Sequence, residues 1–166
     1  LGTPFYLMER VEGRVFTDTT LADLPAAERR PVWMTLAETL AALHALRPEE
    51  IGLGDFGRPG SYFDRQLARW DRQYRASPSG PVPEVEALFD WLTAHRPPED
   101  GRVSLCHGDF RLGNVMFHPE EPRVVAVLDW ELSTLGHPLA DFAYHCMVWR
   151  IPPGTFRGLG GHDLAA

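Results

Sequence analysis

The sequence predicts an α+β fold that is mainly helical, with one short hairpin set among the helices. Three observations predict it. Apolar side chains recur at three- and four-residue spacing over residues 30–46 and 84–95, and a capping signal opens a further helix at Tyr62. Two short apolar runs, Val115-Met116-Phe117 and Val124-Val125-Ala126-Val127-Leu128, read as the paired strands of a hairpin. The length of 166 residues and a hydrophobic content of 44% are enough for one buried core.

Taken in order, Pro4-Phe5-Tyr6-Leu7-Met8-Glu9 is a short apolar run that reads as a strand, and Gly13 with residues 17–20 reads as a turn. Over residues 30–46, Trp33, Leu36, Leu40 and Leu43 form a helical stripe, and Pro31 suits a first turn. His44 lies beside that stripe as a packed or capping residue. Residues 51–60 are glycine-rich and loop-like. Ser61-x-x-Asp64 is a capping box for a helix from Tyr62 to about Ala76. That helix mixes Tyr62, Phe63, Trp70 and Tyr74 with Arg65, Arg69, Arg72 and Arg75, which suits a half-solvated face or the wall of a pocket for an acidic substrate. Residues 77–83 break the chain, and the next helix buries Val85, Leu88, Phe89 and Leu92 on one face. Pro97-Pro98 ends it. Val103-Ser104-Leu105-Cys106 is a strand, Pro138 opens a last helix through about Trp149, and the tail from Ile151 reads as a loop.

The charge of −7 and a pI near 5.4 argue against a nucleic-acid or anionic-membrane surface. No apolar run approaches the roughly 20 residues that cross a bilayer. Cys106 and Cys146 have neither metal-ligand nor redox spacing and read as buried thiols in a reducing compartment, with the cytoplasm as the expected location.

The chemistry concentrates in His107-Gly108-Asp109-Phe110-Arg111-Leu112-Gly113-Asn114, followed fifteen residues later by Asp129-Trp130-Glu131. A hydroxyl is a poor nucleophile, and a carboxylate beside it can orient it and take its proton. Asp109 fits that role, or else it caps a turn beside Gly108. The hairpin should return Asn114 and Asp129 to one end, where an amide oxygen and a carboxylate suit Mg²⁺; zinc would call for more His or Cys. A catalytic-loop Asp, an Asn five residues on and a metal-binding Asp after the next strand pair is the layout of phosphoryl transfer from a nucleotide.

On these motifs the chain resembles the aminoglycoside phosphotransferase-like (choline kinase-like) family, which has a protein-kinase-like fold. Its Asp-Trp-Glu and Gly136-His137-Pro138-Leu139-Ala140-Asp141 resemble the branch that includes the kinase-like domains fused to acyl-CoA dehydrogenases. The resemblance implies ATP and Mg²⁺ as cofactors and a small-molecule hydroxyl substrate. It implies a hinge segment over residues 1–13, with Met8, Glu9 and Val11 at the adenine, and a C-terminal catalytic lobe over 14–166. It further implies that His107 and Asp141 support the loop and that Arg111 lies near the transferring phosphate. Gly108 stands where protein kinases carry an arginine, which argues against activation by a phosphorylated loop. His137 stands where the related branch commonly has an acid, and Glu131 is a further candidate contact to metal or substrate.

All 16 basic residues are arginines, and no glycine-rich loop lies near the start. The phosphate-holding lysine and covering loop of the resembled fold are therefore absent from this sequence. The expectation is a C-terminal lobe without its N-terminal lobe, inactive as residues 1–166 alone. Two other readings stay open: a catalytically silent binding module, and a metal-dependent hydrolase using His107, Asp109, Asp129, His137, Asp141 and His145. The sequence leaves substrate and oligomeric state open. Aminoglycosides and a hydroxylated acyl thioester are the leading substrate candidates, and the arginines of residues 62–76 favour an anion.

Overall fold

The computed structural model describes residues 2–5, 7–57, 61–78, 80–98 and 100–162. The elements run β1 (Arg14–Val15), α1 (Ala26–Ala45), α2 (Tyr62–Arg75), α3 (Pro83–Ala94), β2 (Ser104–Cys106), β3 (Val115–Phe117), β4 (Val124–Val127), β5 (Thr134–Gly136) and α4 (Pro138–Met147). The fold is α+β, with four helices and two small antiparallel sheets among the described residues.

The predicted hairpin is present. Val115 pairs with Val127 and Met116 with Ala126, and a bulge follows before Phe117. The alternate burial of β3 and the β-branched valines of β4 explain the pairing: Val115 and Phe117 are fully buried, while Met116 is half-buried beside β1. The sheet order is β1-β3-β4, and β2 pairs separately with β5.

No strand forms among the described residues of 4–9. The described part is irregular, Phe5, Leu7 and Met8 are 66%, 89% and 74% exposed, and Tyr6 lies outside the described residues. An apolar run becomes a strand only where a neighbour takes its N–H and C=O groups, and the first such pairing starts at Arg14.

Helix α1 begins at Ala26, four residues before the predicted start, so Pro31 sits inside the helix rather than in its first turn. The residues Ala26-Ala27-Glu28 favour helix, and buried Leu24 ties the approach to the core; together these offset the one backbone bond that Pro31 cannot donate. The buried stripe is Val32, Trp33, Leu36 and Leu40, with Leu43 half-buried beside it. It packs with Phe110, Leu112, Val115 and Phe117 into one core.

Ser61 caps α2 as expected, its Oγ accepting from the Asp64 N–H at 3.2 Å. Neither α2 nor α3 has a buried residue, and Leu88 of α3 is 53% exposed against expectation. Helix α3 packs chiefly on α2, so only its Val85, Phe89 and Leu92 edge is half-covered. Residues 151–162 are a loop as predicted, but they fold back onto the body; the rest of the tail lies outside the described residues. The Leu159 N–H donates to the Val148 carbonyl at 2.6 Å, and its side chain is 1% exposed within the core. Both cysteines are free; Cys106 is buried and Cys146 half-buried. No described helix is long and apolar enough to cross a membrane.

Candidate active site

The loop between β2 and β3 is held from three directions. Phe110 is fully buried and pins its middle into the core. Gly108 takes φ 86°, and a Cβ there would lie 2.5 Å from the Leu132 carbonyl, so this turn needs glycine. Asp141 of α4, 2% exposed, accepts the His107 N–H at 2.6 Å and the Gly108 N–H at 2.8 Å. His44 Nε2 of α1 meets the same carboxylate at 3.2 Å. The expected bracing role of Asp141 rests on these contacts, and His44 is a third member that its sequence position did not suggest.

His107 is buried behind the loop. Its Nδ1 accepts the Asp109 N–H at 3.2 Å, which leaves Nε2 to donate to the Leu128 carbonyl at 2.8 Å. One imidazole thus ties the Asp109 backbone to the residue before Asp129. Its ring packs 4.8 Å from Trp130 and 5.8 Å from Phe110.

The Asp109 carboxylate accepts from Asn114 Nδ2 at 2.7 Å and from Arg111 Nε at 3.1 Å. The Tyr144 hydroxyl of α4 also faces it. Burial pushes the Asp109 carboxyl up, but hydrogen bonds from Tyr144, Asn114 and Arg111 outweigh it and hold the group below its ordinary value. The Tyr144 phenol, half-desolvated and donating to that carboxylate, is pushed up to about 12. Tyr144 was not singled out in the sequence. Its place three residues after Asp141, on the same helical face, was the available signal.

Asn114 donates also to the Asp109 carbonyl at 3.0 Å, so its Nδ2 is fully committed, and no described residue donates to its Oδ1. The Leu128 N–H donates to the Asn114 carbonyl at 2.8 Å, and Asp129 follows directly. The hairpin therefore brings the two segments to one end. Asp129 adopts a left-handed backbone (φ 66°, ψ 58°), unusual for a non-glycine residue. Its exposed side chain makes no hydrogen bond or ion pair among the described residues. An amide oxygen and a carboxylate on these adjoining segments are the donor types that suit a hard divalent cation such as Mg²⁺.

Met8 and Glu9 are exposed and Val11 is half-buried, all on irregular chain. Glu131 is exposed in a short 3₁₀ turn. His137 faces inward as the cap of α4: Nδ1 accepts the Leu139 N–H at 3.3 Å, and Nε2 meets Asp100 at 3.0 Å. The capping that an acid would provide is thereby kept, and the ring is not a metal-facing group.

The hydrolase cluster does not assemble. His107, His137 and Asp141 are committed as above, and His145 is buried between Trp33 and Phe110. Among the described residues, His44, Cys106 and Asp141 are the one group of His, Cys and acid close enough to share an ion. Burial and the nearby Asp141 charge push the Cys106 thiol up to about 12, so it supplies no thiolate at neutral pH.

The chain matches the model of the phosphotransferase enzyme family over residues 1–163. It is 45% identical over 152 residues to human acyl-CoA dehydrogenase family member 11, an alignment that covers 92% of this chain and 20% of that protein. Mouse acyl-CoA dehydrogenase family member 10 is 43% identical over 166 residues, with 99% and 15% covered. Among solved structures, a Ralstonia eutropha protein provisionally assigned as an aminoglycoside phosphotransferase superposes with a TM-score of 0.89 at 52% identity, covering 95% of this chain and 49% of that one. Aminoglycoside-3'-phosphotransferase of type VIII follows at 0.63 and 26%, with 84% and 50% covered. The chain thus spans a fifth or less of these curated relatives and about half of these crystallised ones.

Proposed function

The chain belongs to the phosphotransferase enzyme family, and we propose that it forms the catalytic lobe of an ATP- and Mg²⁺-dependent small-molecule O-kinase. The observation that carries this reading is the Asp109–Asn114 hydrogen bond at 2.7 Å, beside a hairpin that returns Asp129 to the same end. In this reading residues 1–13 are a hinge segment and 14–166 the C-terminal lobe, with Met8, Glu9 and Val11 beside the adenine.

The acceptor hydroxyl sits over Asp109, which takes its proton as the oxygen attacks the γ-phosphorus; the bond from that phosphorus to the β,γ-bridging oxygen breaks, and ADP leaves with the electron pair. Asn114 fixes the carboxylate through Nδ2, so the base is oriented before substrate arrives. Arg111, held at 3.1 Å from Asp109, can swing its guanidinium toward charge developing on the phosphoryl oxygens. The Asn114 Oδ1 and the Asp129 carboxylate would hold Mg²⁺, which when bound neutralises phosphate charge. His107 and Asp141 are positioning residues, acting on the backbone of the loop. Residues 1–166 by themselves carry neither the phosphate-binding lysine nor the covering loop, so activity is expected of the natural full-length protein.

The test is a screen of that protein for acceptor-dependent ADP release across aminoglycosides, hydroxyacyl thioesters, choline and sugars. One class should stimulate release well above the rate with water as acceptor. Nucleotide binding without release for any acceptor would instead favour the silent binding module.

The Asp109 environment adds a prediction on pH. A base with a lowered pKa stays ionised through the neutral range, so kcat/KM should fall only as pH drops through the acidic carboxylate range. Tyr144→Phe removes one donor from the carboxylate and should move that acidic limb to higher pH, with kcat at pH 8 little changed. An unmoved limb would show that the phenol does not act on Asp109.

A further inference from the structure

A cavity of about 290 Å³ lies between α2 and the catalytic loop. Its α2 wall includes Phe63, Gln66, Arg69 and Trp70, and its opposite wall includes Gly108 and Tyr144. Gly108 precedes Asp109 and the Tyr144 hydroxyl faces the Asp109 carboxylate, so two lining residues adjoin the base. It has the size and the mix of aromatic and few polar groups expected of a small-molecule site.

The four arginines of α2 differ in what they are free to do. Arg65 donates to the Leu135 carbonyl at 3.4 Å and lies over the Tyr62 ring. Arg75 pairs with Asp71 and Glu86. Arg72 is exposed and outside the cavity wall. Arg69 is in the wall, half-buried, 5.7 Å over the Trp70 ring, and forms no ion pair with a described residue. The other charged group of the wall, Asp141, has its oxygens turned into the loop N–H groups and His44. The α2 carboxylates, Asp64 and Asp71, pair with Arg96 and Arg75 outside the cavity wall, so a cationic acceptor would find no free carboxylate among the described lining residues.

We infer that Arg69 selects the acceptor, binding an anionic group of an otherwise apolar hydroxylated molecule while its hydroxyl reaches Asp109. The inference rests on the phosphotransfer reading and narrows its substrate class to amphipathic anions. Phe63 and Trp70 would cover the apolar body. The Asp109 charge keeps the anion at the far wall, since like charges repel most strongly at short range. A carboxylate and a phosphate monoester share this chemistry.

The test uses binding, measured by calorimetry on the natural full-length protein, so that it does not depend on turnover. The probes are straight-chain ω-hydroxy acids, with the matched amide, amine and phosphate ester of each. The carboxylate or the phosphate should bind about tenfold tighter than the amide, and the amine weakest. The tighter of the two anions identifies the natural group. Arg69→Gln should bring anion and amide to equal affinity, and Arg69→Lys should restore part of the difference. Equal affinity for all probes, failure of both anions to bind, or an unchanged ranking in Arg69→Gln would overturn the role of Arg69. If that ranking holds but no acceptor supports ADP release, the phosphotransfer reading fails while the anion site stands.

Discussion

Asp109→Ala is expected to lower kcat of the full-length protein by about 10² to 10⁴-fold, the usual worth of a positioned general base. On the transition-state scale that is about 3 to 5 kcal/mol. The substitution also leaves Asn114 Nδ2, Arg111 Nε and the Tyr144 hydroxyl without their shared acceptor. Arg111 and Tyr144 line a cavity and are part-exposed, so water can replace the lost acceptor, and buried Asn114 keeps its bond to the residue-109 carbonyl, so folding should lose little. Nucleotide affinity should persist, because Asn114 keeps its Nδ2 bond to the residue-109 carbonyl, and the bond it loses to the carboxylate also runs through Nδ2 and not through the Oδ1 proposed to hold Mg²⁺. Steady-state kinetics beside ADP calorimetry separates the two effects. Turnover within a few-fold of wild type would remove Asp109 from the base role, and loss of nucleotide binding together with turnover would point to a collapsed loop.

What could be read in the sequence was what local chemistry determines. The Ser61 cap, the hairpin and the Pro138 start of α4 each depend on residues within one turn or one strand pair, and each is found where expected. The loop from His107 to Asn114 was legible because its function demands residue types at fixed spacing. What failed depended on neighbours far along the chain. Residues 4–9 are apolar enough for a strand but have no described strand to pair with. Leu88 carries the helical period, yet α3 lies chiefly against α2, so that side stays open. His44 and Asp141 are 97 positions apart, and nothing local marks them as a pair. Leu159 sits among glycines and prolines, where no periodicity could show that it plugs the core. The four α2 arginines looked equivalent in sequence. The structure separates them by what each already touches.

Asp141→Ala should have the largest effect on stability. The carboxylate is 2% exposed and meets two loop N–H groups and His44, so no solvent screening weakens these contacts. Removing one side of such a buried network leaves its donors unpaired, at a cost of about 3 to 5 kcal/mol. That is a large share of the roughly 5 to 15 kcal/mol by which a domain is stable. For a domain of this size it corresponds to a fall in Tm of about 6 to 20 °C. Asp141→Asn keeps one acceptor oxygen but sets an amide N–H₂ against the remaining donors, so it should fall between wild type and alanine. The comparison with Asp109→Ala makes the distinction sharp. Both should depress turnover, but only the Asp141 variants should do so with a lowered Tm, and Asp141→Asn should regain some activity at low temperature as the loop re-forms. Calorimetric scans of the three proteins check this. A Tm for Asp141→Ala within about 2 °C of wild type, which would correspond to less than about 1 kcal/mol, would mean that the loop holds its shape without the aspartate.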